Sequence, residues 1–122
     1  MANLCFTYVK LNSTDENSLR FAIMFTERVQ KINTQGEVPQ RNSVLDNVPD
    51  NYLGIENYAT GGTGWCIYTN TEPPLEYIET LSRTYRIDLE GYFHNPEDSI
   101  HGEYSFGPGK PARVDYQEYS GE

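Results

Sequence analysis

The pattern of apolar and polar residues at the start of the chain predicts a strand followed by a helix. Residues 4–11 are rich in β-branched and aromatic types, which favours a strand with at least one buried face. Ser13 and Glu16 have the spacing of a capping box, so a helix is expected over residues 14–32. Gly36 lies just beyond it, where helices commonly end in a left-handed residue. The predicted apolar stripe of the helix consists of Leu19, Phe21, Ala22, Ile23, Phe25, Val29 and Ile32.

The middle of the chain predicts a long loop, a short strand and a second helix. Residues 34–54 contain two prolines and three asparagines and are poor in apolar residues. A loop this long in a compact domain is often functional, so it is a candidate contact element. Residues 55–60 are expected to form a short extended segment, and residues 65–68 a short central strand. The prolines at 73 and 74 suit the first turn of a second helix, because the N–H that proline lacks would be unpaired there.

Alternation in two later stretches predicts a β-hairpin. Apolar residues and glycine occupy every second position over residues 87–93 and again over residues 100–106. A four-residue turn at 95–98 pairs residue 94 with 99, residue 91 with 102 and residue 89 with 104. The apolar residues and glycines then share one face of the hairpin, and a shift by one residue would destroy this match.

Together these elements predict a single α+β domain over residues 1–106, since a chain of this length has room for one core. The order β-α-(β)-β-α-β-β favours a mixed β-sheet, in which helices join parallel strands and a C-terminal β-hairpin closes the sheet. Both helices are expected on one face, which leaves the other partly open to solvent or a partner. Residues 107–122 are expected to form a mildly acidic C-terminal tail, with a return through Val114 and Tyr116 left open as an alternative.

Charge narrows the classes of function. The chain of 122 residues carries 18 acidic and nine basic residues, a net charge of −9. A nucleic-acid binder needs a basic stripe to neutralise phosphates, so direct nucleic-acid binding is not expected. Acidity is typical of plain solubility or of attraction to a basic partner. No apolar run approaches the roughly 20 residues of a membrane span, and the first residues lack the order of a signal peptide, so a cytoplasmic location is expected.

Residues with reactive side chains are few. Cys5 and Cys66 are expected to be buried thiols, with a disulfide left open as an alternative. The two cysteines and two histidines do not follow zinc-ligand spacing, so no metal and no cofactor is expected. A nucleophilic Cys66 with His94 or His101 as base would need a lowered thiol pKa, and no helix N-terminus or cation near Cys66 in the sequence supplies it. No catalytic residue is therefore expected.

Two further features have a structural and a functional interpretation. Gly61-Gly62-Thr63-Gly64 could cradle a phosphate with its backbone N–H groups. These glycines precede a strand and no lysine follows them, so a tight turn is favoured. Trp65 could anchor an interface. Within a strand and next to Cys66 it is expected to be largely buried.

The polar face of the predicted hairpin is the candidate binding surface. The predicted register sets His101 opposite Tyr92 and Glu90 opposite Glu103. Like charges directly opposed in a sheet are unfavourable, so extension of both carboxylates into water is the simpler interpretation. The functional interpretation is that Glu90, Tyr92, His101 and Glu103 bind a basic partner or a cation. These four are the predicted partner-binding residues.

Five blocks of the chain follow an order seen in a known family. They are Asn3-Leu4-Cys5, Ile55-Glu56-Asn57-Tyr58, the Gly-Thr-Gly-Trp-Cys stretch at 62–66, Pro73-Pro74, and Gly102-Glu103-Tyr104-Ser105-Phe106. In this order they resemble the YubB-type ferredoxin-like domain family of phage and mobile-element proteins. The first tryptophan of the family is Tyr58 here, the lysine before its second tryptophan is Gly64, and residues 59–61 look like an insertion. The resemblance spans residues 3–106 and implies a ferredoxin-like fold and no established enzymatic activity.

These observations lead to one principal hypothesis and two alternatives. The principal one is a non-enzymatic phage or mobile-element protein in a bacterial host, an anti-CRISPR-like inhibitor that contacts a basic host defence complex. An acidic surface is attracted into the basic channels that such nucleases use for nucleic acid. The first alternative is a protein that binds or sequesters a nucleotide signal between the sheet and the 34–54 loop. The second is a weak enzyme using Cys66 or a histidine, which the sequence disfavours. Oligomeric state is not predicted.

Overall fold

The computed structural model describes residues 3–12, 15–38, 43–57 and 64–118. Within these ranges the chain forms six strands and two helices. The strands are β1 (Leu4–Leu11), β2 (Tyr52–Asn57), β3 (Gly64–Asn70), β4 (Leu89–Asn95), β5 (Ile100–Phe106) and β6 (Arg113–Glu118), and the helices are α1 (Glu16–Gln35) and α2 (Leu75–Tyr85). The predicted α+β class is confirmed, as are the first strand over 4–11 and a helix directly after the prolines at 73 and 74.

The strands of the described chain form one sheet in the order β2-β3-β1-β4-β5-β6, and every neighbouring pair is antiparallel. The predicted mixed sheet is therefore wrong. Helix α1 does connect two strands that run in the same direction, β1 and β2, but β3 lies between them. Helix α2 likewise connects β3 and β4, with β1 between them. The sequence indicates each crossover connection, but the two strands that each helix joins are not neighbours, because β3 is inserted into the first pair and β1 into the second.

Helix α1 begins at an aspartate cap and ends at a glycine cap. The Oδ1 atom of Asp15 accepts a hydrogen bond from the backbone N–H of Ser18 at 2.8 Å. The N-cap is thus Asp15 rather than the predicted Ser13, which lies outside the described residues. Gly36 has a φ of 67°, so it adopts the left-handed conformation predicted for the helix end.

The buried side of α1 differs from the predicted apolar stripe. Phe21, Phe25 and Val29 are buried as predicted, whereas Leu19 and Ile23 are 51% and 63% exposed. Both phenylalanine rings meet the Trp65 ring edge-on, with centroids 5.8 and 4.9 Å away. Aromatic rings bury more surface than Leu or Ile, so they set the rotation of the helix about its axis. The sequence could not choose between the two overlapping stripes.

Strands β4 and β5 pair across a turn at residues 96–99, one position later than predicted. Asn95 pairs with Ile100, residue 93 with 102, and residue 91 with 104, a shift of two residues from the predicted register. Asn95 is buried, and its side-chain amide donates a hydrogen bond to the carbonyl of Thr71 at 2.8 Å, which keeps it in the strand. Because side chains alternate with period two, a two-residue shift keeps each side chain on its predicted face.

The sheet continues beyond β5. Residues 113–118, which lie within the predicted tail, form β6 along the outer edge of β5. Val114 and Tyr116 belong to this strand, so the return suggested for them is present. The β4–β5 pair is therefore not the end of the sheet.

The segment expected to be a long loop is shorter and partly packed. Residues 34–35 belong to α1 and residues 52–54 to β2, and residues 39–42 lie outside the described chain. Residues 43–51, called the strap below, lie over the core. Its apolar residues Val44, Leu45 and Val48 pack against that core.

One hydrophobic core lies between the helices and one face of the sheet. Trp65 is fully buried in it, as predicted. Its members from β3, α1, α2 and β4 include Trp65, Ile67, Phe21, Phe25, Ile78, Leu81, Leu89 and Phe93. Along the described chain neither helix has the length and apolar character needed to cross a membrane.

Candidate functional site

The face of the sheet opposite the core carries the candidate site. Its side chains come from every second residue of each strand, and the strand register arranges them in three rows that cross the sheet. The rows are Tyr68, Phe6, His94 and His101; then Glu56, Cys66, Tyr8, Tyr92, Glu103 and Asp115; then Gly64, Lys10, Glu90, Ser105 and Arg113. In the described chain no helix packs over these rows, so we call this surface the open face.

Aromatic side chains form a continuous patch across the open face, named the aromatic platform (Phe6, Tyr8, Tyr68, Tyr92 and His94). The Phe6 ring stacks on His94 with centroids 5.0 Å apart and meets Tyr68 edge-on at 5.6 Å. Tyr8 stacks on Tyr92 at 4.5 Å. These are the separations of favourable aromatic pairs. The rings support one another, so the platform is held in one arrangement before any partner binds.

Carboxylates border the platform on both sides and form an acidic rim (Glu56, Glu90, Glu103 and Asp115). On one side, Glu103 lies directly opposite Tyr92, and Asp115 lies opposite Glu103 on the next strand. On the other side, Glu56 accepts a hydrogen bond from the hydroxyl of Tyr68, and this bond raises the pKa of that hydroxyl. The rim therefore places negative charge at both ends of the aromatic surface.

Among the described residues, two cations lie on the same face and only partly offset the rim. Arg113 donates a hydrogen bond to Asp115 at 3.2 Å, so part of its charge is already neutralised within the chain. Lys10 lies opposite Glu90 in the β1–β4 ladder. Among the described residues, neither Glu90 nor Glu103 forms an ion pair. These two carboxylates remain available to a cation from another molecule.

Two grooves follow the platform. The larger, named the tyrosine groove, has a volume of about 420 Å³ and is lined by Tyr8, Tyr92, Glu90, Glu103, Gly64 and Ser105 together with the two cations and Asp115. The smaller has a volume of about 370 Å³ and is lined by Tyr92, His94, His101 and Glu103. Tyr92, Glu103 and Asp115 border both grooves, so the two grooves meet along this row.

The four predicted partner-binding residues lie together on this face. Glu90, Tyr92 and Glu103 line the tyrosine groove, and His101 lines the smaller groove. Their predicted partners across the strands are wrong, because the register is shifted by two residues. His101 faces His94, Glu90 faces Ser105, and Glu103 faces Tyr92. The predicted opposition of Glu90 and Glu103 therefore does not occur, and the like-charge cost inferred from it disappears.

Sequence reasoning missed the part of the platform that comes from β1 and β3. Phe6, Tyr8 and Tyr68 face the same side as Tyr92 because β1 lies beside both β3 and β4. A local signal existed in β1, where Phe6, Tyr8 and Lys10 occupy every second position. Along a strand such residues share a face. The signal that joins them to Tyr92 is the strand order, which no local pattern contains.

The thiol of Cys66 lies beneath the open face and is 2% exposed. Burial is the main cause that raises its pKa to about 11, so at neutral pH it is a protonated thiol and a poor nucleophile. Cys5 and Cys66 are both free thiols, on opposite faces of the sheet. Of the predicted turn at residues 61–64, only Gly64 lies in the described chain, where it begins β3.

Two spaces border the strap, the described part of the loop for which a ligand site was suggested. The space between the strap, α1 and β2 has a volume of about 10 Å³, and the space between the strap and α2 has a volume of about 250 Å³. A nucleotide site at this loop stays a prediction. The strap lies on the helix side of the sheet, away from the two grooves. Where the chain is described, no group of three or more His, Cys, Asp or Glu residues is placed to hold a metal ion.

Comparison with the models of known protein families, with curated proteins and with solved structures finds no match for this chain. The resemblance to the YubB-type family therefore stays a prediction. Aromatic faces and carboxylates on one surface both attract cations, the first through the ring quadrupole and the second through net charge.

Proposed function

We propose that this protein is a non-catalytic binding protein that docks a basic surface of another protein on its open face. The observation that carries the proposal is the aromatic platform with its acidic rim. Tyrosine and other aromatic residues are enriched among the few residues that dominate protein interfaces. Rings that are already stacked on one another lose little conformational freedom on binding, which favours affinity.

The charge of the open face supports a basic partner over a nucleic acid. Its acidic rim has four carboxylates against the two cations Lys10 and Arg113, and the whole chain has a net charge of −9. A phosphate backbone would be repelled by such a surface. A basic protein would be steered towards it over long range, and the attraction would weaken as salt screens it.

Within this proposal, the partner is a host nucleic-acid-binding defence complex and the setting is the cytoplasm of a bacterial cell. The resemblance to a mobile-element family and the basic nucleic-acid channels of such complexes support this choice. The same resemblance supports a ferredoxin-like classification. The order β2-β3-β1-β4, with a helix after β1 and after β3, agrees with the β-α-β-β-α-β arrangement of such folds, extended here by β5 and β6.

Binding to a panel of purified defence nucleases of the CRISPR type, measured by biolayer interferometry, tests the proposal. We expect Tyr92→Ala and Glu103→Gln each to weaken binding, with Tyr92→Ala costing about tenfold or more as for an interface hot spot. Affinity should also fall as salt rises. Ile23→Ala is the matched control, since Ile23 is 63% exposed on the helix side of the molecule. Equal losses for Ile23→Ala and Tyr92→Ala, or binding that ignores salt, would contradict the proposal.

The tyrosine groove favours one second candidate, a small planar ligand held without catalysis. Its volume of about 420 Å³ lies within the range of about 300–1,000 Å³ that small-molecule sites occupy. Three carboxylates line it, so a planar cationic ring fits it better than a nucleotide phosphate. Thermal unfolding in a panel of nucleotides and cationic heterocycles tests this candidate, since a bound ligand stabilises the fold. A panel without any shift would exclude it.

A further inference from the structure

We propose that the tyrosine groove recognises an arginine side chain of the partner, with the guanidinium stacked on Tyr92 and hydrogen-bonded to Glu90 and Glu103. The inference rests on the proposed function and names the chemical group that the open face selects. It assigns the groove a specific occupant, a planar cation of a protein.

The ring of Tyr92 offers the stacking surface. It is 44% exposed, while its other contacts include the Tyr8 ring at 4.5 Å, which fixes its orientation. A guanidinium is planar and weakly hydrated, so it stacks on aromatic faces. Gly64, which has no side chain, and Ser105, whose side chain is small, also line the groove and leave space beside the stacked tyrosines.

The carboxylates lie where a stacked guanidinium would present its N–H groups. Glu103 is directly opposite Tyr92 on β5, a position that brings the two Cβ atoms to about 4.5–5.5 Å. Glu90 precedes Tyr92 by two residues on β4 and therefore lies on the same face. Arginine has five N–H donors in a fixed plane, so it can serve both carboxylates while it stacks.

The chain itself contains a related contact at the edge of this groove. Arg113 donates to Asp115 at 3.2 Å, and both residues line the groove. Asp115 is thereby occupied, whereas Glu90 and Glu103 form no ion pair among the described residues. The arginine of a partner would therefore use the inner part of the groove.

Lysine would be a poorer occupant. Its ammonium is a compact, strongly hydrated point charge without a planar face, so it gains the carboxylate attraction and little of the stacking. The charge of the rim thus attracts any basic partner, while the Tyr92 ring discriminates arginine from lysine. The stacking and the charge attraction can be separated by mutation, because the stacking depends on the Tyr92 ring and the attraction depends on the carboxylates.

The test is a titration of the ¹⁵N-labelled full chain with two soluble peptides of equal length and charge, one carrying arginines and the other lysines in a glycine–serine background. We expect the arginine peptide to bind about tenfold more tightly, as a desolvated cation–π contact allows. Amide shifts should centre on residues 90–92 and 103–105. Tyr92→Leu should abolish the preference, because it should lower the affinity for the arginine peptide about tenfold and the affinity for the lysine peptide much less.

Two further variants keep the test decisive. Tyr116→Leu is the matched control. Tyr116 is 46% exposed and lies on the face of β6 opposite to the open face, so loss of its ring should leave the preference for arginine intact. If Tyr92→Leu does not fold, Tyr92→Ile replaces it with the same expected result, because β-branched residues are favoured in strands.

The outcomes separate this inference from the proposed function. Equal binding of both peptides at the open face would overturn arginine recognition and leave basic-partner binding standing. Absence of shifts on the open face with either peptide would overturn both. A preference for arginine that survives Tyr92→Leu would place the recognition elsewhere and overturn the inference alone.

Discussion

At the scale of single residues, two glycines decide how β4 and β5 fit together. Gly91 pairs with Tyr104 and Gly102 with Phe93, so each glycine lies opposite an aromatic residue on the core face. A Cβ on Gly102 would lie 2.5 Å from the Phe93 ring, and a Cβ on Gly91 would lie 2.8 Å from the Tyr104 hydroxyl oxygen. Aromatic rings that cover glycines of a neighbouring strand help to fix register. This packing accounts for the observed pairing.

Replacement of Gly91 by alanine is expected to lower the free energy of unfolding by about 1–3 kcal/mol, the usual cost of overpacking. Its Cβ would lie 1.8 Å from the carbonyl oxygen of Tyr8, a backbone atom that cannot rotate away. Gly54→Ala in β2 is the matched control, because a Cβ there would meet Tyr68 at an ordinary 3.8 Å. Urea unfolding compares the two variants, and equal losses would contradict the packing argument.

The candidate site was partly predictable at this scale. Alternation alone placed Glu90, Tyr92, His101 and Glu103 on the polar face, and the two-residue error in register left that placement intact. Their neighbours across the strands were not predictable. Tyr8 reaches Tyr92, which lies 84 residues later in the sequence (92 − 8), only because β1 and β4 lie side by side.

At the scale of elements, the strap shows how a polar segment is fixed over the core. Asp46 accepts a hydrogen bond from Nε of Arg28 at 2.7 Å, and their side chains are only 13% and 17% exposed. Glu37 accepts a second hydrogen bond from Arg28, and the hydroxyl of Tyr77 donates to the carbonyl of Leu45. The strap has a composition typical of a mobile loop, but it is packed, because the hydrogen-bond partners of Asp46 and Leu45 lie on α1 and α2.

Asp46→Ala is expected to lower the free energy of unfolding by about 2 kcal/mol, since hydrogen bonds to charged groups contribute about 1.5–3 kcal/mol. Cleavage of the strap by a protease should become faster at the same time. Glu79→Ala is the matched control. Its ion pair with Arg83 lies within α2 at 2.5 Å and is more exposed, so its removal should cost about 0.5 kcal/mol or less. A strap that resists the protease in Asp46→Ala would show that apolar packing alone holds it.

At the scale of the whole molecule, buried tyrosines link stability to alkaline pH. Tyr104 and Tyr77 belong to the core, and burial is the main cause that raises the pKa of each hydroxyl above its ordinary value of 10. The hydroxyl of Tyr104 donates to the carbonyl of Tyr8 at 2.7 Å, so the protonated form is also the bonded one. In the unfolded chain both groups lose their protons near pH 10.

Stability should therefore be unaffected by these groups below pH 10 and should fall as pH rises above it. In that range the unfolded state binds fewer protons than the folded state, so each group lowers the free energy of unfolding by about 1.4 kcal/mol per pH unit. Urea unfolding between pH 9 and 12 measures the slope. Tyr104→Phe and Tyr77→Phe should each make the fall of the free energy of unfolding with pH shallower, because each removes one of the titrating hydroxyls. Both variants should nevertheless be less stable than the parent chain at neutral pH. Slopes that match the parent chain in both variants would contradict the assignment.

The sequence by itself determined the properties that depend on near neighbours in the chain. Helical and strand periodicity, the glycine that ends α1, the alternation of faces in β4 and β5, and the acidity are all local or summed properties, and they indicated an α+β fold with an acidic polar face. The tertiary structure decided the strand order, the antiparallel pairing and the rotation of α1. It also decided the aromatic platform, because Phe6, Tyr68 and Tyr92 become neighbours only when β1 is inserted between β3 and β4. That insertion follows from burying the apolar faces of all these strands and both helices in one core, and no segment of the chain specifies it alone.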